Sequence, residues 1–177
     1  MKMICLMGGS GSGKSTVEKT LENFGFKRSI SYTTREPRMR NGKLEQDGNE
    51  YRFVSREKFL ALVDRGIIIE HEYYDGNYYG TPVPIGATRY VATVCLGGFQ
   101  ALKKKYGDQV IGVYLECPYE IALRRAGLRD KTDEIALRRL EEDKKLIAKM
   151  SECADLVVDA TNDIGYTVAE ILKKVRE

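Results

Sequence analysis

At 177 residues and 42% hydrophobic content, the chain can close one full core and is too short for two independent domains of ordinary size. Its 29 Lys+Arg against 26 Asp+Glu leave a net charge of +3, too small to drive nucleic-acid or membrane binding by bulk electrostatics, so any basic function has to be local. No apolar run approaches the roughly 20 residues of a membrane span, and residues 1–7 are too short for the apolar region of a secretory leader before glycines interrupt, so a cytoplasmic protein is expected.

In chain order, strand-like apolar runs stand at Ile4–Met7, Val91–Cys95, Val110–Leu115 and Leu156–Val158. Helical patterns are predicted at about 14–23, 56–65, 99–106, 118–127, 132–150 and 164–176. This alternation predicts an α/β fold with a parallel sheet covered by helices on both faces. Ser55 suits an N-cap for a helix whose Phe59, Leu62 and Val63 share a face and whose end is marked by Gly66. Pro118 suits a first helical position, and Thr132 precedes the acidic pair Asp133 and Glu134. Val168, Ile171, Leu172 and Val175 recur at helical spacing and predict plain core packing. Two stretches break the rhythm: 31–81, rich in Tyr, Arg, Gly and Asn, and 124–139, dense in arginine. Both are expected as insertions at the mouth of the sheet, where open α/β folds bind ligands. Cys5, Cys95, Cys117 and Cys153 are widely separated, and with His71 the one histidine, no zinc spacing can be assembled; buried reduced thiols are expected.

The segment Gly8-Gly9-Ser10-Gly11-Ser12-Gly13-Lys14-Ser15, followed by Thr16, satisfies G-x4-G-K-[ST] between a hydrophobic strand and a helical pattern. Glycines let successive backbone N–H groups curl around a nucleoside triphosphate's β-phosphate, and the helix N-terminus adds partial positive charge. Lys14 is expected to reach the β- and γ-oxygens, with the Ser15 hydroxyl on Mg²⁺. A flexible Gly/Ser turn would not need strand, lysine, hydroxyl and helix in this order.

That loop leaves switch GTPases, motor ATPases and small-molecule kinases open. Downstream, Ser31-Tyr-Thr-Thr-Arg35-Glu-Pro-Arg38 sets two guanidiniums around a proline, an arrangement suited to bidentate capture of a phosphate dianion. A solvated basic loop would look similar on this octet alone. It is followed by Asp47-Gly-Asn-Glu-Tyr51-Arg-Phe-Val-Ser and by Glu70-His-Glu-Tyr-Tyr-Asp-Gly-Asn77-Tyr-Tyr79-Gly80-Thr81.

In these motifs the chain resembles the guanylate kinase family, from Met3 to about Val175 and most densely at 8–81. The resemblance implies a P-loop core at 1–30, 82–124 and 140–177, an acceptor-binding insertion at 31–81 and a short lid at about 125–139, all in one domain. It implies that Arg35, Arg38, Tyr51 and Tyr79 hold the phosphate of GMP while Ser31, Glu70 and Thr81 address the guanine. A carboxylate can accept from guanine N1–H and the 2-amino group together, a donor pair that adenine lacks. Arg125, Arg129 and Arg139 match the lid pattern R-L-x-x-R followed by R-L, with an interval about one residue shorter. Lid arginines stabilise the charge that spreads over the equatorial oxygens of a transferring phosphoryl group. Lys14, Arg38, Arg125, Arg129 and Arg139 are thus the expected catalytic set.

Two departures stand out. The family strand ending I-L-D-I-D-x-Q-G reads Val91-Ala-Thr93-Val-Cys95-Leu-Gly-Gly98 here, so Thr93 and Cys95 replace two carboxylates. Toward the C-terminus the adenine-contacting position falls among Asp159, Asn162 and Asp163 without a choice between them. The leading expectation is ATP- and Mg²⁺-dependent phosphorylation of GMP or dGMP by a monomer or homodimer, without nucleic-acid or membrane partners. Alternatives are a kinase of the same fold acting on a ribose bisphosphate or another dNMP, and a non-catalytic binding module.

Overall fold

The computed structural model describes residues 1–40, 42–86, 88–130 and 147–176. Its central sheet has five strands in the order β11-β10-β1-β9-β2, all parallel: β1 (Lys2–Met7), β2 (Lys27–Arg28), β9 (Arg89–Thr93), β10 (Val110–Glu116) and β11 (Leu156–Asp159). The first strand is the middle one and is fully buried from Met3 to Met7, so it reads as a continuous apolar run. Its side chains still alternate between two cores. Ile4 and Leu6 pack with Val17 and Leu21 of α1 (Lys14–Glu22) and Val168 and Ile171 of α6 (Ile164–Arg176). Met3, Cys5 and Met7 pack on the other face with Phe99 and Leu102 of α3 (Leu96–Tyr106). Val168, Ile171 and Val175 are buried as their spacing predicts.

Residues 31–81 hold a second, four-stranded sheet in the order β6-β3-β8-β7, formed by β3 (Tyr32–Thr33), β6 (Arg52–Phe53), β7 (Ile68–Tyr74) and β8 (Asn77–Pro82). A small hairpin, β4 (Met39–Arg40) and β5 (Lys43–Leu44), projects from it. The β7–β8 hairpin closes on Asp75-Gly76, both at positive φ, as a two-residue turn of matching twist requires. Its two faces differ in use. Tyr78 stacks on Phe59 of α2 (Arg56–Asp64) with ring centroids 5.3 Å apart, and Tyr73 and His71 join that cluster. Glu70 and Thr81, paired in register, lie on the opposite face from Tyr78. The tyrosine-rich stretch is thus a packed hairpin face on one side only. Arg28, from the main sheet, donates to the Asn49 carbonyl and side-chain oxygen at 3.2 Å each and ties the main sheet to the turn that precedes β6.

Ser55 accepts from the Lys58 amide as the predicted cap, and Gly66 follows the end of α2 at φ 66°. The helix expected at 99–106 begins at Leu96, because the Cys95 side chain caps it. The next, α4, spans Tyr119–Asp130, with Pro118 giving its carbonyl to the Ile121 and Ala122 amides just before the first turn. Helix α5 covers 147–153 among the described residues; Thr132, Asp133, Glu134 and Arg139 lie outside them. The expectation of four buried thiols is corrected: Cys5 is buried mid-strand, Cys95 and Cys117 are half-buried at strand ends, and Cys153 is exposed on α5.

Candidate active site

The C-terminal end of β1 runs straight into the phosphate loop and α1, and the position of that loop follows from its backbone. Gly13 is the N-cap of α1 at φ 93°, with no side-chain cap, so the first turn presents its N–H groups to an anion. Gly11, at φ 80°, lies against α4 so closely that a Cβ would sit 2.2 Å from the Ala122 carbonyl oxygen. Lys14 is folded over the loop and donates to the carbonyls of Gly8 and Gly9 at 2.7 and 2.8 Å. The Ser12 hydroxyl is buried with no hydrogen-bond partner, an orphaned polar atom inside a cradle shaped for oxygen-rich ligands. Ser15 and Thr16 are exposed on the first turn.

Three of the residues expected to hold the acceptor phosphate, Arg35, Tyr51 and Tyr79, lie together in the insertion. Arg35 is buried, and its guanidinium lies 5.4 Å from the Tyr51 ring centroid; Tyr51 in turn meets Tyr79 edge-on at 5.9 Å. Arg35 also makes a 2.8 Å ion pair with Glu45, whose side chain is 1% exposed. The same Glu45 oxygen accepts from the Arg38 amide at 2.9 Å, so one carboxylate holds both arginine positions of the loop. Glu45 has no sequence signal: in Lys43-Leu-Glu45-Gln it reads as a solvated residue, and only the β4–β5 hairpin, which brings the Glu45 amide onto the Arg38 carbonyl, buries it.

Of the residues expected to address the base, Glu70 and Thr81 sit together at the other end of the insertion sheet. Glu70 and Thr81 are partners across β7 and β8, with Thr81 buried and Glu70 half-buried. Burial raises the Glu70 carboxyl above its usual range, opposed by a hydrogen bond from Cys95. Ser31, at the entry to β3, is half-buried and gives its carbonyl to the Arg52 amide. Because β9 neighbours β1 and the Val94 amide donates to the Leu6 carbonyl, the Cys95 contact sets Glu70 one strand away from the phosphate loop. Both halves of the site therefore open at the carboxyl ends of parallel strands.

A carboxylate missed by sequence reasoning stands at the end of β9. Glu18, from α1, accepts from the Thr93 amide at 3.3 Å. Burial pushes its carboxyl up to about 7, with Arg28 pulling it down, the Thr93 amide assisting, and Glu22 and Lys19 acting weakly in opposite senses. The strand that lacks acidic residues of its own thus receives one from the neighbouring helix. No local signal marks it, because a glutamate on a helix that also carries Lys14 and Lys19 reads as solvated until the helix is placed beside β9.

Of the arginine set, Arg125 donates to the Ala160 carbonyl at 3.0 Å and to the Cys117 sulfur at 3.8 Å, tying α4 to the ends of β10 and β11. Arg129 belongs to α4, and its side chain, like Arg139 as a whole, lies outside the described residues. Near the C-terminus Asp159 accepts from the Thr161 amide and hydroxyl, and Asp163 from the Gly165 amide at the start of α6; both side chains are engaged locally. Asn162 reaches the Asp159 carbonyl at 3.4 Å. Among the described residues no three His, Cys, Asp or Glu side chains gather as a metal site, and no helix is long and apolar enough to cross a membrane.

A family model described as Guanylate kinase matches residues 1–177. Guanylate kinase of Chlorobaculum tepidum is 36% identical over 186 residues, covering 99% of this chain and 92% of that protein. Guanylate kinase of Lactococcus lactis subsp. lactis is 35% identical over 187 residues, covering 99% and 86%. The crystal structure of guanylate kinase from Anaplasma phagocytophilum superposes with a TM-score of 0.70 at 26% identity, covering 99% of this chain and 84% of that one. A gluconokinase from Sinorhizobium meliloti shares the fold at a TM-score of 0.51 and 16% identity.

Proposed function

The chain belongs to the guanylate kinase family, and on that premise we propose that it transfers the γ-phosphate of ATP to GMP or dGMP, giving ADP and GDP or dGDP. The observation that supports this most is the pairing of Glu70 with Thr81 one strand from the phosphate loop, with Arg35, Tyr51 and Tyr79 clustered on the same small sheet. An acceptor with a phosphate at one end and a donor-rich base edge at the other fits that spacing of chemistry.

The loop amides and Lys14 bind the triphosphate; Lys14 exchanges the Gly8 and Gly9 carbonyls for phosphate oxygens when ATP enters. Arg35 and Arg38, with the two tyrosine hydroxyls, hold the acceptor phosphate in line with it. Arg125, Arg129 and Arg139 are assigned to the ATP side, where guanidiniums neutralise the transferring group. Glu70 accepts from guanine N1–H and the 2-amino group, while Thr81 and Ser31 complete the base contacts.

The donor set fits Mg²⁺ carried by the nucleotide. This cation keeps several waters and takes few protein ligands besides phosphate oxygens, and the loop offers the Ser15 hydroxyl without an acidic cluster. When bound, the ion supplies charge neutralisation at the β- and γ-oxygens.

A coupled ADP-release assay with Mg-ATP against GMP, dGMP, AMP, UMP and sugar phosphates tests the reading. GMP and dGMP should turn over at the highest kcat/KM. Glu70→Gln should erode the GMP/AMP ratio by roughly ten- to a hundredfold while leaving the KM for ATP unchanged. Turnover of a sugar phosphate with no activity on guanine nucleotides would overturn it.

A further inference from the structure

The junction between β9 and α3 does more than fill the place of a carboxylate. Cys95 is the N-cap of α3, and its sulfur accepts from the Gly98 amide at 3.3 Å. With the sulfur lone pair so engaged, its S–H is left to donate, and the two Glu70 oxygens stand 3.7 and 3.6 Å away, within sulfur hydrogen-bond range of both. Among the described residues this thiol is the one side-chain donor to the Glu70 carboxylate. Burial, reinforced by the neighbouring Glu70 and Glu72 carboxylates, pushes the Cys95 thiol up to about 12, so the donor proton is present throughout the neutral range.

The first turn of α3 closes on the same carboxylate. A Cβ at Gly97 would lie 3.1 Å from one Glu70 oxygen, and a Cβ at Gly98 would lie 3.2 Å from the other and 2.9 Å from the Thr81 hydroxyl. Glu70 therefore rests against the two glycines in the first turn of α3, where the partial positive charge of a helix N-terminus favours an anion. Its lone pairs are not exhausted, since a carboxylate has about four acceptor sites and Cys95 takes at most one on each oxygen.

We propose that Cys95 is a positioning residue for base recognition, whose S–H holds the Glu70 carboxylate with both oxygens turned to the N1–H and 2-amino edge of a 2-amino-6-oxopurine. This rests on the assignment of Glu70 to the base. Guanine and hypoxanthine share N1–H and differ in the 2-amino group, so their ratio reports whether the carboxylate is held two-handed. A rotated carboxylate keeps the N1–H contact and loses the second.

The test uses Cys95→Ala and Cys95→Ser in the full chain, with Glu70→Gln alongside. Cys95→Ala should raise the KM for GMP about three- to tenfold and shrink the GMP/IMP ratio of kcat/KM by a similar factor, as expected for a weak donor lost from a charged acceptor. The fall in kcat should be smaller than the rise in KM, and the KM for ATP should stay put. The acid limb of the pH profile of kcat/KM for GMP should move to higher pH, because the thiol that lowers the Glu70 carboxyl is gone. The titratable groups facing Glu70 are Cys95, Glu72 and His71, and the last two are unchanged in this variant. Cys95→Ser, which retains a donor and a cap, should restore the ratio and the acid limb. A Cys95→Ala enzyme with unaltered GMP/IMP ratio and acid limb, or one that loses GMP and ATP binding equally, would overturn the inference. If Glu70→Gln still cuts the ratio in that case, the base assignment stands and only the role of Cys95 falls. If Glu70→Gln also leaves the ratio unchanged, the base assignment itself is wrong.

Discussion

The two halves of the site are built in opposite ways. At the phosphate loop the ligand is met by consecutive backbone amides, and the decisive features are the absence of side chains at Gly11 and Gly13 and the helix that follows. In the insertion the proposed contacts come from side chains on β7 and β8 and beside β3 and β6, and some are held by partners distant in sequence, as Arg35 is by Glu45 and Glu70 by Cys95. The difference teaches where each half is vulnerable. A backbone-built site fails when something is added; a side-chain-built site fails when a supporting partner is taken away.

The largest effect expected is on chemistry. Lys14→Met removes the loop's cationic side chain, and kcat should fall by roughly a thousandfold or more with the melting temperature little changed. Steady-state kinetics with a thermal melt decide this, and near-normal turnover would remove the loop from the mechanism. In the insertion, Glu45→Ala leaves the buried Arg35 guanidinium without its carboxylate and should cost about 3–5 kcal/mol, visible as a lower urea midpoint together with a raised KM for GMP. A loss of stability with GMP binding intact would separate Arg35 from the acceptor.

The next effect is set by pH. The folded Glu18 carboxyl, at about 7, retains a proton that the unfolded chain gives up near 4.5, so between those values the folded state binds more protons and its stability falls as pH rises. This cost is absent below about 4.5 and complete above about 7, where it is on the order of 3 kcal/mol. Glu18→Gln should therefore be more stable than the parent at pH 8 and indistinguishable from it near pH 4, as denaturant titrations at both values would read. A parallel pH dependence in the two proteins would show that Glu18 is not the titrating group. The smallest effect tests the crowded loop: Gly11→Ala should cost about 1–3 kcal/mol through its positive φ and the Ala122 carbonyl, and should weaken ATP binding more than GMP binding.

Much of this was legible before the fold, and unevenly. The phosphate loop, the four apolar strands and the Ser55 cap could be read because their causes are local: glycine spacing, apolar runs, a hydroxyl three residues ahead of a free amide. Arg35, Tyr51, Tyr79, Glu70 and Thr81 could be gathered as one site through the order of their motifs. The four-stranded insertion sheet could not, since β3 and β6 are two residues each and two residues show no periodicity. Glu45 and Glu18 were missed because a glutamate among lysines looks solvated whether or not a hairpin or a neighbouring strand covers it. Cys95 was read as a carboxylate lost; its meaning depends on Glu70, which lies 3.6 Å away and twenty-five positions earlier.

The central place of the first strand carries a consequence for the birth of the molecule. Met3 to Met7 leave the ribosome well before their sheet neighbours, Tyr90 to Thr93 on one side and Val110 to Tyr114 on the other. During synthesis this buried strand must wait for Tyr90 to Thr93 to emerge before it has either edge to join. Pairings so distant in sequence form slowly, and exposed strand edges with apolar faces are where nascent chains associate wrongly. Slow, partner-limited closure of the sheet about β1 is the expected bottleneck of refolding, and a chaperone that shields residues 3–7 early should raise the yield of the native fold more than one that acts late.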